Sequence, residues 1–260
     1  LGLLASLPNL KLIVGLGAGA DHILADPALP ARVPILRLVD PYMTDSMSEY
    51  VVWQVLRLHR QDLDYLAQQR AGIWREREQK NAAERSVGIL GFGTLGQDAG
   101  KKLKALGFAV AGWSRAAKTV AGFATMSGAE GLDALLGRSE ILVCLLPLTP
   151  ATVGILDARL FARLPSGAGL VNAGRGSHLV EADLVAALDS GRLSAAVLDV
   201  FRDEPLPPGH PFWAHPRIIV TPHIAAETHP PTAAPILVEA ISRFEAGLPL
   251  DTLIDPARGY

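Results

Sequence analysis

Short runs of consecutive apolar residues alternate along the chain with segments in which apolar residues recur every three to four positions. Eight of these runs predict β-strands. Most are apolar at successive positions, which is typical of strands covered on both faces of a parallel sheet. The predicted strands are Leu12–Gly17, Val33–Val39, Ser86–Leu90, Phe108–Trp113, Glu140–Leu146, Gly169–Asn172, Ala195–Val200 and Ile218–Thr221.

The periodic segments between these runs predict helices. The longest extends from Thr44 to Arg70, and the others are Thr94–Leu106, Glu181–Ser190 and Thr232–Ala246. Strands that are separated by helices predict a doubly wound α/β fold with a mostly parallel sheet.

Composition narrows the function classes. The 260 residues suffice for one large domain or two smaller ones, and the net charge of −2 argues against a general nucleic-acid binder. The single Cys144 lies in an apolar run and has no disulfide partner, which fits a reducing compartment. No run is long enough to span a membrane and no signal peptide is visible, so we expect a cytoplasmic protein. The histidines show no metal-ligand spacing, and no metal is predicted.

A glycine-rich loop, Gly91-Phe-Gly93-Thr94-Leu95-Gly96, follows the third predicted strand and opens a predicted helix. The first glycine permits a tight turn, the second lets the backbone approach a pyrophosphate, and the third lets the helix pack on the strand. The helix N-terminus adds free N–H groups. This context favours a dinucleotide site over an ordinary turn.

The end of the following strand bears on the choice of cofactor. An NAD enzyme places Asp or Glu about 20 residues beyond the first glycine to bind the ribose 2′-hydroxyl. This chain has Ser114, Arg115 and Lys118 there instead. A hydroxyl and two cations suit a 2′-phosphate, so NADPH is predicted, with NADH as the weaker alternative. The competing interpretation is that both cations point into water.

Three later strands are each followed by a charged or titratable residue: Arg175, Glu204 and His223. The carboxyl ends of parallel strands meet at one edge of an open sheet, where ligands bind. We therefore expect these three side chains to lie in one crevice.

These residues, the glycine loop, "GAGADHI" (17–23) and "LPLTPAT" (146–152) closely resemble the D-isomer-specific 2-hydroxyacid dehydrogenases from about Leu10 to the C-terminus. Within that family, "WSR", "LDSGRLSAAVLDVF", "EPLPP" and "DPARGY" look most like the NADPH-dependent glyoxylate/hydroxypyruvate reductase A group. The resemblance implies an oxidoreductase that transfers hydride from NADPH to a small 2-oxo acid such as glyoxylate or hydroxypyruvate.

The resemblance also implies residue roles. Arg175 would bind the substrate carboxylate and polarise its carbonyl, because guanidinium is planar and permanently charged. His223 would be the general acid, and Glu204 would pair with its imidazole and favour the protonated form. Further substrate contacts would come from the backbone at Ala18 and Gly19. Further cofactor contacts would come from Leu146, Pro147, Thr152, Ala173 and Asp199, the last at the nicotinamide carboxamide.

The implied architecture has two domains. A Rossmann-type cofactor domain would span residues 48–226. A smaller, flavodoxin-like substrate domain, apparently truncated at its N-terminus relative to the family, would combine 1–47 with 227–260. The long helix after Thr44 is where relatives dimerise, so a homodimer is expected. Trp74 would either pack in the core, which is preferred, or reach a partner subunit.

Two other function classes stay open at this point. The chain could be a cofactor-sensing binding protein of the same fold, or an inactive truncated homologue. A phosphoglycerate dehydrogenase is disfavoured by the missing acidic ribose residue. The identity of the 2-oxo acid is not legible from the sequence.

Overall fold

The computed structural model describes residues 2–250, 252–256 and 259. The strands in this part of the chain are β1 Ile13–Gly15, β2 Ile35–Arg37, β3 Ser86–Leu90, β4 Ala109–Ser114, β5 Ala124–Ser127, β6 Ile141–Cys144, β7 Ala168–Asn172, β8 Leu193–Leu198 and β9 Ile218–Val220. The helices are α1 Asp21–Leu24, α2 Pro41–His59, α3 Asp62–Ala71, α4 Thr94–Ala105, α5 Gly128–Leu136, α6 Ala158–Arg163, α7 Glu181–Asp189, α8 Pro211–Ala214 and α9 Pro230–Glu245.

The main sheet has seven strands in the order β5-β4-β3-β6-β7-β8-β9, and each neighbouring pair is parallel. The strand order reverses between β3 and β6, which is the switch point where doubly wound folds bind ligands. The predicted fold class is confirmed.

The core lies on both faces of this sheet, as the continuous apolar strands predict. Successive residues of a strand point to opposite faces. Leu90, Leu142, Leu170 and Leu198 pack against α5 to α8, whereas their neighbours Ile89, Val143, Val171 and Val197 pack against α2 and α4.

The predicted helix over 44–70 is wrong in its extent. The chain forms α2 and α3, separated at Gln61, whose φ of 58° is left-handed and stops the α-helical path. The start of α2 is fixed by Asp40, whose carboxylate accepts a hydrogen bond from Tyr42 N at 2.9 Å. Strand β5 and the four helices α1, α5, α6 and α8 are present but were not predicted from the sequence.

β1 and β2 form a separate, two-stranded parallel sheet. The C-terminal segment adds to it, since Leu253 bridges Leu36 in antiparallel fashion and Ile254 N donates to Ile35 O at 2.8 Å. Of the terminal "DPARGY" motif, residues 257, 258 and 260 lie outside the described part of the chain, as do 1 and 251. The division into domains at 47/48 and 226/227 stays a prediction.

Trp74 corrects one expectation. Its residue surface is 98% exposed, so it does not pack in the core. Within the described residues, no helix has the length and apolar character that crossing a membrane requires.

Candidate active site

The glycine loop has the geometry that close approach of a pyrophosphate requires. Gly91 adopts a φ of +92°, and a Cβ there would lie 2.5 Å from Leu145 O. A Cβ on Gly96 would lie 2.3 Å from Gly91 O, so only glycine lets α4 approach the loop. Gly93 caps α4 without a side-chain hydrogen bond and faces open space. The start of α4 therefore presents N–H groups that have no partner within the helix, together with the positive end of the helix dipole, which fits a dinucleotide phosphate.

A cavity of about 500 Å³ opens beside this loop. It is bounded by the carboxyl ends of the central strands and by the segment between β1 and α1. The sequence-predicted residues that line it are Ala18, Gly19, Gly91, Gly93, Thr94, Leu95, Gly96, Ser114, Arg115, Lys118, Leu146, Pro147, Thr152, Ala173 and Arg175. Asp199, Glu204 and His223 do not line it, so the expectation that Arg175, Glu204 and His223 share one crevice is not met in this cavity.

Ser114 is the last residue of β4, and Arg115 and Lys118 follow it at the cavity wall. Both cations are exposed, and no carboxylate stands at this strand end. The charge at this edge of the cavity is therefore suited to an additional phosphate on the adenosine ribose.

Arg175 follows β7 in a loop that Asn172 holds together. The buried Asn172 amide donates to Arg175 O at 3.1 Å and accepts from Gly174 N at 3.2 Å. The guanidinium Nε donates to both carboxylate oxygens of Asp21, at 3.0 and 3.2 Å, and Nη1 donates to Gly174 O at 2.8 Å. Three hydrogen bonds thus orient the planar guanidinium group. The group lines the cavity wall and is partly exposed there.

His223 and Glu204 form a close pair in loops that follow the adjacent strands β9 and β8. His223 Nδ1 lies 2.7 Å from Glu204 Oε2. Glu204 Oε1 accepts from Phe201 N at 2.8 Å, which holds the carboxylate in place. About half of the His223 side chain is exposed, and the pairing leaves Nε2 as the atom available to exchange a proton with a substrate.

The loops that carry Arg175 and Glu204 touch through their backbones. A Cβ on Gly176 would lie 1.8 Å from the carbonyl carbon of Phe201, so this position has room only for glycine. The loops after β7, β8 and β9 are consequently neighbours at one edge of the sheet, as expected for strands of this order.

Asp199 is buried beneath the His223 loop. Its Oδ1 accepts from Thr221 Oγ1 at 2.7 Å and Ile224 N at 3.0 Å, and its Oδ2 accepts from Ala225 N at 2.9 Å. Its surface is only 1% exposed. The contact of Asp199 with a nicotinamide carboxamide stays a prediction.

Sequence reasoning missed Asp21 and His178. Asp21 stands inside the quoted "GAGADHI" motif, so the signal was present, but nothing in the sequence pairs it with an arginine 154 positions away. His178 is fully buried and joins two loops: its Nδ1 accepts from Arg175 N at 3.1 Å, and its Nε2 lies 3.3 Å from Pro147 O. These partners require a neutral ring with the proton on Nε2.

Cys144 lies 3.9 Å from the same histidine ring. Burial raises the pKa of its thiol to about 12, so it behaves as a small apolar residue and not as a nucleophile. Within the described residues, no group of three or more His, Cys, Asp or Glu side chains could hold a metal ion.

The buried His178 predicts acid sensitivity. Desolvation lowers its pKa below the usual value near 6.5, so the unfolded chain binds the proton more readily than the folded one. The contribution of neutral His178 to the free energy of unfolding should be fully present above about pH 6.5. It should be lost as the pH drops below that value, by at most about 1.4 kcal/mol per pH unit for one group. His178→Gln should flatten this slope in urea unfolding between pH 6.5 and 5, and the exposed His22→Gln serves as control. Equal slopes in both variants would contradict the assignment.

Gly19 provides a second test of the site. A Cβ there would lie 1.9 Å from Arg175 Nη2 and 2.7 Å from Asp21 Oδ1, so Gly19→Ala must displace the guanidinium. We expect kcat/KM for the 2-oxo acid to fall about 100-fold, because displacing a positioned group by about 1 Å has effects of that order. Gly17→Ala is the matched control, since a Cβ there meets nothing within 4 Å. Unchanged kinetics in Gly19→Ala would show that Arg175 does not act from this position.

Fold and site together define a nucleotide-dependent dehydrogenase: a doubly wound sheet with a glycine loop at its switch point and an arginine and a His–Glu pair on neighbouring strand ends. Residues 52–225 match the family model described as D-isomer specific 2-hydroxyacid dehydrogenase, NAD binding domain. The chain belongs to this family, and it is an NAD(P)-dependent oxidoreductase.

Individual relatives agree with this assignment. The glyoxylate/hydroxypyruvate reductase A of Yersinia enterocolitica is 44% identical over 99% of this chain and 84% of its own length. A D-isomer specific 2-hydroxyacid dehydrogenase from Xanthobacter autotrophicus, crystallised with NADPH and MES, is 47% identical with a TM-score of 0.96, covering 100% of this chain and 82% of its own. An NADPH-dependent glyoxylate/hydroxypyruvate reductase from Sinorhizobium meliloti, crystallised with NADP and sulfate, is 48% identical with a TM-score of 0.92. The match covers 97% of this chain and 81% of that protein.

Proposed function

We propose that this chain reduces small 2-oxo acids, glyoxylate and hydroxypyruvate among them, to 2-hydroxy acids with NADPH. The observation that carries the proposal is that one cavity is lined by the glycine loop, by the cations Arg115 and Lys118, and by Arg175. A relative named glyoxylate/hydroxypyruvate reductase A that is 44% identical over nearly the whole chain supports the same substrate class.

The geometry supports the following residue roles in this proposal. Bound NADPH supplies the hydride. Arg175, oriented by Asp21, binds the substrate carboxylate and withdraws charge from the carbonyl oxygen. His223 donates the proton that neutralises the developing alkoxide, and Glu204 at 2.7 Å stabilises the imidazolium before transfer. The backbone at Ala18 and Gly19 contributes further contacts to the substrate carboxylate, beside the Arg175 guanidinium.

Cofactor oxidation by the purified chain tests this function. We expect turnover of NADPH with glyoxylate or hydroxypyruvate, followed through the loss of reduced-cofactor absorbance, and slower turnover of NADH at equal concentration. Binding of NADPH without turnover of any 2-oxo acid would instead support a cofactor-sensing binding protein. Faster turnover of NADH would contradict the 2′-phosphate site while leaving the reaction class intact.

The strand end after β4 makes a sharper prediction. Replacing Arg115 and Lys118 together by Ala should raise KM for NADPH by more than about 100-fold and leave KM for NADH nearly unchanged. Each charge-assisted hydrogen bond to the phosphate contributes about 1.5 to 3 kcal/mol, and NADH lacks that group. A double variant of two other exposed cations, Lys101→Ala with Arg159→Ala, is the control. Equal losses with both cofactors would show that the pair shapes the loop and does not bind the phosphate.

Assembly and location complete the proposal. A homodimer is supported by exposed apolar side chains around α2 and α3: Trp53, Ile73 and Trp74 are 47%, 50% and 98% exposed. The net charge of −2 gives no basis for binding nucleic acid. The lone, buried Cys144 is compatible with the cytoplasm. Light scattering on the purified chain measures the mass, and a monomer at micromolar concentration would overturn the dimer.

A further inference from the structure

A chain of three buried side chains runs from helix α2 to the loop that carries His223. Tyr50 OH lies 2.6 Å from Thr221 Oγ1, and Thr221 Oγ1 lies 2.7 Å from Asp199 Oδ1. The three residues are 5%, 8% and 1% exposed. None of the roles assigned above uses Tyr50 or Thr221.

The direction of these hydrogen bonds is determined by chemistry. Thr221 has one hydroxyl proton, and the Asp199 carboxylate can only accept, so Thr221 donates to Asp199. Tyr50 must then donate to Thr221. Burial, together with the neighbouring Asp199 charge, raises the pKa of Tyr50, which retains the donor proton on the phenol.

The Asp199 end of this hydrogen-bonded series holds the backbone at His223 and directly after it. The Asp199 carboxylate accepts from Ile224 N and Ala225 N, and Asp199 O accepts from His223 N at 2.9 Å. His223 has a φ of +54°, a left-handed conformation that is uncommon for a residue with a side chain and needs support from its surroundings. Because the imidazole direction depends on this backbone, the orientation of the carboxylate sets the position of the proton donor.

We propose that Tyr50 is a positioning residue for the reaction, which acts through Thr221 and Asp199 to hold the His223 loop in its left-handed conformation. The inference rests on the proposed function, in which His223 is the proton donor. In this proposal Tyr50 of α2, which lies more than 170 positions before His223 in the sequence, helps to set the geometry of the His223–Glu204 pair.

Tyr50→Phe tests the proposal because it removes one hydroxyl and retains the buried ring. We expect kcat to fall about tenfold, KM for NADPH to stay within twofold, and the deuterium isotope effect with 4-deuterated NADPH to increase, since proton donation and hydride transfer become slower. Tyr65→Phe on α3 is the control for loss of a tyrosine hydroxyl: this hydroxyl accepts hydrogen bonds from Arg77 N and Gln79 Nε2, on a more exposed part of the surface away from the site.

A double-mutant cycle separates positioning from general destabilisation. In a His223→Asn background, Tyr50→Phe should cause no further loss of kcat in single-turnover measurements, because the group that it positions is already gone. A merely structural role would lower the activity by the same factor in both backgrounds, and that result would overturn the proposal. Substitutions at Thr221 extend the test. Thr221→Ser keeps the hydroxyl and should keep most of kcat, whereas Thr221→Val should lower kcat at least as much as Tyr50→Phe does.

Hydrogen exchange measures the loop independently of turnover. In Tyr50→Phe, the amides of Ile224 and Ala225 should exchange at least tenfold faster, while the glycine loop at 91–96 is unchanged. Unaltered exchange at both amides would overturn the proposal even if kcat had fallen. If the unmodified chain turns over no 2-oxo acid, the proposed function fails, and this exchange result still decides whether Tyr50 holds the loop.

Discussion

His223→Asn is expected to lower kcat for 2-oxo acid reduction about 1,000-fold, since a positioned general acid contributes about 100- to 10,000-fold. The amide can still donate a hydrogen bond to Glu204, but it carries no proton acidic enough to transfer to the developing alkoxide. Cofactor binding should be unaffected, because His223 does not line the cavity that is bordered by the glycine loop. Steady-state kinetics and NADPH titration by fluorescence measure the two quantities.

Two companion variants control this result. Glu204→Gln should lower kcat less than His223→Asn does, because it removes the charge that stabilises the imidazolium at 2.7 Å but leaves the proton donor in place. His22→Asn changes an exposed histidine outside the set of proposed proton donors and should retain full activity. A His223→Asn enzyme with more than a tenth of the original kcat would exclude His223 as the proton donor.

Much of the fold could be predicted from the sequence because the main sheet is buried on both faces. The continuous apolar runs of β3, β6, β7 and β8 leave little ambiguity, and their predicted positions agree with the structure to within a few residues. β5 was missed since it is a short edge strand, "ATMS", whose residues are only partly buried. The break at Gln61 was missed because neither proline nor glycine marks it.

The candidate site could be predicted in part for a different reason. Arg175, Glu204 and His223 each follow a strand closely, so parallel topology alone brings their loops to one edge. The supporting contacts depend on distant pairings that no local pattern contains: Asp21 meets Arg175 and Tyr50 meets Thr221 across 154 and 171 positions. Sequence motifs therefore point to the proposed reacting groups, whereas the residues that orient them emerge only from the packed structure.

Asp21 and Asp199 illustrate how the two kinds of support differ. Asp21 orients a side chain directly, through two contacts with one guanidinium nitrogen. Asp199 orients a backbone, through the amides on the C-terminal side of His223. Substituting Asp21 should displace Arg175, the proposed electrophile, and substituting Asp199 should displace His223, the proposed acid. The two effects can be told apart by which kinetic constant changes.

Arg175→Lys is expected to lower kcat/KM about 100- to 1,000-fold, although the positive charge is retained. Removing one preorganised donor to a developing oxyanion has an effect of this size. Lysine carries a point charge on a flexible stem and cannot reproduce a planar fork that binds Asp21, Gly174 O and a substrate carboxylate together. KM for the 2-oxo acid should rise and kcat should fall, because Arg175 contacts both the carboxylate and the carbonyl oxygen in the proposed reaction.

The matched control makes the same exchange at Arg163 of α6, which pairs with Asp133 of α5 at 2.9 Å on the protein surface. Arg163→Lys should leave both constants unchanged. A substrate that lacks the carboxylate distinguishes the two roles of Arg175. If the arginine mainly binds that carboxylate, reduction of a neutral aldehyde should be equally slow in the original chain and in Arg175→Lys. If Arg175→Lys also slows the aldehyde, the guanidinium acts on the carbonyl itself, and the electrophilic role is the one that requires arginine.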